Sequence, residues 1–392
     1  MGTRSRAVAA LLAAVCLHDS TPFGMTPGHS NAQAVPGSRR PAPGLPLPAP
    51  GSPLPAPGFH HLHLNSINPD AAIDFYTKAF PSTSRTTFER QPALASPNNV
   101  LVLFNKVATP PPTQPRTAFW HFGWHVTDVR AALERFLKLN FPLLPLYTGL
   151  PLVASATEGE GTRTVFISSD TYPGTGGVLG LTRTQLEEAR KNGIKPTGGA
   201  GFAYLRGPDD AIVEYQGNMP VERFNHVHMY QDQPFCAALW YQRHLHVAVP
   251  APRGGVTPRT ESNCRVERGP DKTLPALEWD GMYRTPAVQT TMFGDVSLFF
   301  YMNQGNTPAP STRGHLMDHI ALGVADLDAW TAKLKGEGVT FLRDVYTVND
   351  SAPSAALGVP SAALGAPSAA VRAFMIEGPS KEAIEIVEVK PR

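Results

Sequence analysis

The stretch GFHHLHLNSINPDAAIDFYTKAF (residues 58–80) places three histidines directly before a segment with helical periodicity. A second stretch, RFNHVHMYQDQPFCAALWYQRHL (residues 223–245), repeats the order of histidines and helical segment. The helical segment of each stretch contains an aromatic pair, Phe75-Tyr76 in the first and Trp240-Tyr241 in the second. Alternate residues of a strand lie on opposite faces, so the histidines of each stretch oppose its apolar residues. The pattern predicts strands that hold histidines in a concavity on one face and pack helices against the other face.

The order of an alternating strand followed by an amphipathic helix occurs four times. The four strands begin at residues 60, 120, 225 and 318, and short β-rich segments follow each helix. This order predicts an α+β fold built from four βαβββ modules. One module buries little apolar surface alone, so we expect the first module to pair with the second and the third with the fourth. Each pair is then a cupped mixed sheet with its helices outside.

Composition divides the chain into segments. A basic start and an apolar run too short to span a bilayer predict a signal peptide at residues 1–34. Proline-rich repeats predict a linker at 35–58, and low complexity predicts a loop at 351–371. The two paired-module domains are then expected at 59–220 and 221–392. The signal peptide predicts an exported protein, periplasmic or extracellular, with a cytoplasmic protein as the alternative if this segment is not a signal.

Charge and cysteine usage limit the partners. The chain has 34 Lys and Arg against 32 Asp and Glu, and these residues are scattered. The balance predicts neither a nucleic-acid partner nor membrane insertion. The partner that we expect, from the metal-site motifs described below, is a small-molecule substrate of a monomer or homodimer. After signal cleavage, Cys236 and Cys264 could form one disulfide, although two cysteines do not by themselves decide the pairing.

The two halves repeat one set of metal-binding groups in the same order. In each half, one histidine precedes an aromatic pair by fourteen residues, and another precedes a helix-initiating Asp by seven. A glutamate lies six residues after the proline of a Gly-Pro turn. The repeated sets are His61, His121 and Glu214 in the first half and His226, His319 and Glu385 in the second.

Two imidazoles and one carboxylate form a facial triad that leaves metal positions open for water, dioxygen or a bidentate substrate. The sets therefore predict a divalent metal cofactor, with Fe²⁺ favoured and Mn²⁺ or Zn²⁺ as alternatives. Three further histidines share strands with these ligands and are candidates either for proton transfer or for lining the cavity. They are His63, His125 and His228.

Five motifs resemble those of the vicinal oxygen chelate superfamily, which includes glyoxalases, fosfomycin- and bleomycin-resistance proteins and extradiol dioxygenases. The motifs are HLHLNSINPDAAIDFY, HFGWHVTDV, LRGPDDAIVE, DHIALGVADLDAW and IEGPSKEAIE. The resemblance covers the cores of all four modules. It implies that two modules form one cupped metal site, with a ligand on each first strand and a Glu on the last strand. It makes His61, His121 and Glu214 the ligands of the first domain and His226, His319 and Glu385 those of the second.

Departures from the family pattern narrow the expected reaction. Glyoxalase-type members carry a second carboxylate on a late strand, but residues 100–106 and 296–303 contain none. Tyr204 matches a Tyr of extradiol dioxygenases and is a candidate catalytic residue, whereas Phe374 stands at the equivalent position of the second half. We expect a metal-dependent enzyme that chelates vicinal oxygens of a small substrate, with a dioxygenase reaction first because three protein ligands leave three metal positions open. The alternatives are a glyoxalase-type lyase or isomerase, or a non-catalytic protein that sequesters a small molecule.

Overall fold

The structure, a computed structural model, describes most of the chain beyond residue 53. The described residues are 54–144, 146–149, 164–168, 179–182, 202–217, 219–249, 259–265, 282–284, 287–303, 307–348 and 370–389. The expected signal peptide, most of the proline-rich linker and nearly all of the low-complexity loop lie outside these residues.

Four modules follow one another, each beginning with a long strand and a helix. The first comprises β1 (Gly58–Ser66), α1 (Pro69–Ala79), β2 (Ser84–Phe88), β3 (Gln91–Ala95) and β4 (Leu101–Lys106). The second comprises β5 (Phe119–His125), α2 (Val129–Lys138), β6 (Leu143–Leu144), the inserted strands β7 (Leu146–Gly149), β8 (Thr164–Ser168) and β9 (Leu179–Thr182), then β10 (Phe202–Arg206), a 3-10 turn (Pro208–Asp210) and β11 (Ile212–Gln216).

The other two modules occupy the second half of the chain. The third comprises β12 (Arg223–Gln231), α3 (Pro234–Leu245), β13 (Met282–Arg284), β14 (Ala287–Phe293) and β15 (Val296–Met302). The fourth comprises β16 (Met317–Val324), α4 (Leu327–Gly336), β17 (Phe341–Thr347), β18 (Arg372–Glu377) and β19 (Ala383–Glu388). Among the described helices, none has the length and apolar content needed to cross a membrane.

The described strands form two large mixed sheets, and each sheet combines modules from both halves of the chain. The first sheet has the order β17-β18-β19-β16-β1-β4-β3-β2, and the second has the order β14-β15-β12-β5-β11-β10-β6. A small sheet has the order β13-β7-β8-β9. The α+β class and the four modules are confirmed. The expected pairing is wrong, because the first module shares a sheet with the fourth, and the second with the third.

A short connection explains why the second and third modules share a sheet. β11 and β12 flank β5, with β11 parallel to β5 and β12 antiparallel to it. The chain therefore leaves β11 and enters β12 at the same end of the sheet. The connection from β11 to β12 must cross two strand spacings, about 10 Å. The residues between these strands can span about 20 Å when extended, so the connection is long enough to place β12 beside β5. The first and fourth modules are then left to pair, through β1 and β16.

One continuous apolar core joins the faces of the sheets that lie opposite the histidines. The Tyr76 ring of α1 lies 5.9 Å from Phe104 of the first sheet and 5.7 Å from Trp124 of the second. Phe80, just after α1, stacks on Trp124 at 4.4 Å. Tyr76 and Phe80 therefore anchor α1 to both sheets, as aromatic side chains with large buried areas commonly do.

Cys236 and Cys264 form a disulfide, which settles the pairing that the sequence leaves open. The two cysteines are 28 residues apart, and cross-linking a loop of this length restricts the unfolded chain. We expect replacement of both by Ser to lower the free energy of unfolding by about 3 kcal/mol. Urea unfolding compares the disulfide-bonded wild-type protein with this variant and with the reduced wild-type protein. Equal unfolding midpoints for all three would argue against a stabilising cross-link.

Candidate metal centres

The first sheet brings together His61 of β1, His319 of β16 and Glu385 of β19. The Nε2 atom of His61 lies 3.3 Å from Oε2 of Glu385, and Nε2 of His319 lies 3.9 Å from the same oxygen. His63, two residues along β1, offers a ligand atom within 4.8 Å of those of His61 and His319. These four residues are called the first centre.

The second sheet holds an equivalent group around Glu214 of β11. The Oε2 atom of Glu214 lies 3.0 Å from Nε2 of His121, 3.6 Å from Nε2 of His226 and 3.9 Å from Nδ1 of His228. The four ligand atoms all lie within 4.8 Å of one another, and the four side chains are buried. These four residues are called the second centre.

The two centres group the histidines and glutamates differently from the sets expected from the sequence. The triads His61–His121–Glu214 and His226–His319–Glu385 are wrong, because His61 and His226 exchange places. The physical reason is the sheet order, in which β1 lies beside β16 and β12 lies beside β5. Each centre therefore takes its first histidine from one half of the chain and its second from the other half.

The donor atoms of both centres fit a divalent metal. Nε2 of His61, of His319 and of His226 is buried and has no hydrogen-bond partner among the described residues. A buried polar atom without a partner costs free energy, whereas a metal ion would use its lone pair. Imidazole nitrogen together with carboxylate oxygen is a donor set for Fe²⁺, Mn²⁺ or Zn²⁺.

Carboxylate and amide groups orient two of these histidines. Nδ1 of His319 donates to Oδ1 of Asp318 at 2.6 Å, and Nδ1 of His226 donates to Oδ1 of Asn225 at 2.8 Å. A proton on Nδ1 leaves the Nε2 lone pair directed toward the glutamate, which is the tautomer that a metal requires. Burial alone would raise the pKa of Asp318, but the hydrogen bond to His319 and the charge of Arg313 hold that pKa well below its usual range.

Electrostatics favours neutral imidazoles in the first centre. Burial, assisted by neighbouring histidines, lowers the pKa of His61 well below its ordinary value. Burial and the nearby His319 lower the pKa of His63 to about 3. Both rings are therefore neutral near pH 7, the state in which imidazole binds a metal or accepts a proton. In the second centre, burial alone would raise the pKa of Glu214, but His226 and His121 hold it well below its usual range.

Each central glutamate accepts a hydrogen bond from a tyrosine. The Tyr204 hydroxyl donates to Oε2 of Glu214 at 2.7 Å, and the Tyr346 hydroxyl donates to Oε1 of Glu385. Tyr346 is a site residue that no sequence motif indicates, because it comes from β17, two strands from Glu385, and precedes the low-complexity segment. Phe374, which stands at the expected position, packs instead on Phe341 in the apolar core.

The remaining candidate histidines lie in different environments. His63 faces the cavity of the first centre with its ring 4.4 Å from that of His319. His228 belongs to the second centre. His125 accepts a hydrogen bond from the amide of Asn225, the residue whose Oδ1 binds His226. His125 belongs to neither group of candidate ligand atoms.

The first centre opens into a cavity of about 400 Å³. All four of its residues line this cavity. The other walls combine polar, cationic and apolar side chains, among them Asn65, Phe88, Asn105, Arg313, Arg343 and Met375. A mixed lining of this kind suits a small polar molecule that is partly apolar.

Gly123 provides the space for His226, and this leads to a prediction. A Cβ atom on Gly123 would lie 2.4 Å from Cε1 of His226. We expect Gly123→Ala to displace this imidazole and weaken metal binding at the second centre by about 10- to 100-fold. The equivalent position opposite Glu385 is Ala321, so Ala321→Gly is the matched control. Competition with a chelator measures the affinity, and equal metal retention in the two variants would contradict the prediction.

Comparisons with known proteins give matches among solved structures alone, since no family model and no curated protein matches the chain. Glyoxalase I from Zea mays is 13% identical with a TM-score of 0.48, covering 84% of this chain and 92% of that one. A proposed dioxygenase from Bacillus subtilis is 14% identical with a TM-score of 0.41, covering 86% of each chain. Lactoylglutathione lyase from Agrobacterium tumefaciens is 11% identical with a TM-score of 0.24, covering 43% of this chain and 96% of that one.

Proposed function

We propose that this protein is a metal-dependent enzyme that binds two neighbouring oxygens of a small substrate at the first centre. The observation that carries the proposal is the group of His61, His319 and Glu385 at the wall of the 400 Å³ cavity. These residues line the cavity, and a metal held by two imidazoles and one carboxylate would keep positions open for a substrate there. Those positions are suited to a bidentate oxygen ligand.

The residues of the first centre have distinct roles in this proposal. His61, His319 and Glu385 would hold the metal, which when bound supplies Lewis acidity toward the substrate oxygens. His63 is neutral and faces the cavity, so its ring can accept a hydrogen bond from a substrate hydroxyl group and orient it. The Tyr346 hydroxyl fixes the orientation of Glu385.

Polar groups on the floor of the cavity would orient the substrate. The Asn105 amide donates to Oδ1 of Asn65 at 2.9 Å, and the Asn65 amide donates to the carbonyl oxygen of His315 at 2.8 Å. This chain of hydrogen bonds fixes both amide side chains at the cavity wall. Fixed polar groups beside the apolar Phe88 and Met375 favour one orientation of a substrate that has a polar and an apolar end.

A dioxygenase reaction is the first choice because the protein supplies three ligands. Asp318 also lines the cavity, but its carboxylate is already bound to Arg313 and His319. The described cavity walls therefore provide no second carboxylate beside Glu385 that is available for a glyoxalase-type site. A lyase or isomerase reaction is the second choice, and sequestration of a small aromatic molecule is the alternative without catalysis.

The test is a reaction screen on protein loaded separately with Fe²⁺, Mn²⁺ and Zn²⁺. Oxygen uptake is measured with catechols, and isomerisation is measured with hemithioacetals. The proposal expects turnover that is lost in His61→Ala and kept in His246→Ala, a histidine of the turn after α3 whose ring binds the Leu54 carbonyl. Oxygen uptake supports the dioxygenase, and turnover without oxygen uptake supports the isomerase. Ligand binding that survives in metal-free His61→Ala, without turnover, would overturn the enzyme proposal and favour sequestration.

We also propose that the protein is exported. The disulfide between Cys236 and Cys264 supports this, because disulfides persist in oxidising compartments. Cell fractionation, with mass analysis of the N-terminus, tests the proposal. Recovery of the uncleaved chain from the cytoplasm with both thiols free would contradict it.

A further inference from the structure

We propose that the second centre is a closed, structural metal site in which His228 is the fourth protein ligand. The inference rests on the proposed function only in assuming that the protein binds divalent metal. It assigns different tasks to the two centres: the first faces the substrate cavity, and the second holds a metal that stabilises the second sheet.

The donor set of the second centre is complete without substrate or solvent. His121, His226, His228 and Glu214 place four ligand atoms within 4.8 Å of one another. At the first centre, the ligand atoms that all lie within 4.8 Å of one another belong to three histidines, and Glu385 is not among them. Structural zinc-type sites use four protein ligands, whereas catalytic sites use three and keep an open position. The second centre therefore has the four mutually close protein donors that a closed site requires.

The register of the paired strands β1 and β4, and of β12 and β15, shows which side chains lie next to each centre. In the first sheet, His63 lies opposite Leu103 and Asn65 lies opposite Asn105. In the second sheet, His228 lies opposite Phe299 and Tyr230 lies opposite Tyr301. Positions that carry one aliphatic and two amide side chains in the first sheet therefore carry three aromatic rings in the second.

These aromatic rings fill the cup of the second sheet. The His228 ring lies 4.7 Å from Phe299 and 5.0 Å from Tyr301. Trp120 stacks on Tyr230 at 4.9 Å, and both are buried. Trp120 and Tyr230 also line a cavity of about 250 Å³, whose described walls include none of the four ligands. The aromatic layer thus separates the second centre from this cavity, whereas the first centre is part of its own cavity wall.

Cobalt spectroscopy on two ligand variants separates the two centres. His61→Ala removes a ligand from the first centre, so Co²⁺ added to this protein reports the second. His226→Ala removes a ligand from the second centre, so Co²⁺ added to that protein reports the first. Four-coordinate Co²⁺ absorbs visible light more strongly than five- or six-coordinate Co²⁺, and azide changes the spectrum of a site that has an open position. We expect an intense spectrum that azide does not change for the second centre, and a weaker spectrum that azide changes for the first.

His228→Ala in the His61→Ala protein tests the fourth ligand. We expect the affinity for Co²⁺ to fall by more than about 100-fold, because removing even the groups behind a ligand costs about 10- to 100-fold. The spectrum should lose its four-coordinate character, and the rise in melting temperature that Co²⁺ gives should disappear. His228→Gln serves the same purpose if the alanine variant does not fold. His63→Ala in the His226→Ala protein is the matched control, for which we expect the coordination of Co²⁺ to stay unchanged.

The outcomes distinguish this inference from the proposed function. A Co²⁺ spectrum at the second centre that responds to azide, or one that is unchanged by His228→Ala, would overturn the closed site and leave the proposed function in place. Failure of Co²⁺ to bind in either ligand variant would overturn both. Co²⁺ bound at the second centre alone would support the closed site and remove the basis of the proposed enzyme.

Discussion

Replacing Glu385 with Gln is expected to lower the turnover of the metal-loaded protein by on the order of 10³-fold. The carboxylate lies 3.3 Å from Nε2 of His61 and 3.9 Å from Nε2 of His319, so it contributes the single negative charge among three proposed ligands. Gln has nearly the same shape but no charge to offset that of a divalent metal. The Tyr346 hydroxyl can still donate to the amide oxygen, so the packing around the site should be kept.

Metal content and kcat/KM are measured together on the Glu385→Gln protein. The matched control is Glu377→Gln, on the neighbouring strand β18 but outside both centres. We expect the variant to lose the metal of the first centre and to keep that of the second, while the control keeps both. Full turnover in Glu385→Gln would show that the first centre is not where the reaction occurs.

The residues of the two centres could be found from the sequence, but their grouping could not. Alternation along β1 and β12 places the histidines on one strand face, and the repeated spacing identifies an equivalent set in each half. Which histidine meets which glutamate depends on the sheet neighbours of β1 and β12, and similar modules present similar strand edges. Local pattern therefore predicts the face on which His61 lies, whereas long-range strand pairing decides that it meets Glu385.

Other features show the same division between local and long-range information. Gly123 in the motif HFGWH indicates from the sequence that another group approaches the strand closely there, since a strand glycine often has this role. Tyr346 gives no comparable signal, because its contact with Glu385 crosses a sheet whose order is known only once β17 and β18 have paired. The short connection between β11 and β12 did contain information on module pairing, because its length restricts β12 to a place near β11.

Residues 54–220 expressed alone are expected not to form a folded, metal-binding monomer. This half contains His61 without its partners His319 and Glu385, and it contains His121 and Glu214 without His226. It also leaves β1 and β5 as open edges, since β16 and β12 belong to the other half. An unpaired edge promotes association with another chain. The loss of these strand pairs and of the shared core should exceed the whole stability of a domain, about 5–15 kcal/mol.

Size-exclusion chromatography, circular dichroism and metal content test this expectation. The control is co-expression of residues 54–220 with residues 221–389, which interrupts the chain between β11 and β12 but keeps every strand neighbour. We expect the two halves to associate one to one and to recover both centres. A dimer of the first half would show that β1 of one copy can accept β5 of another, as the similarity of the modules allows. A monomeric half that binds one metal would instead show that neighbouring modules can pair within a half, and that the order of the two sheets is not needed to build a centre.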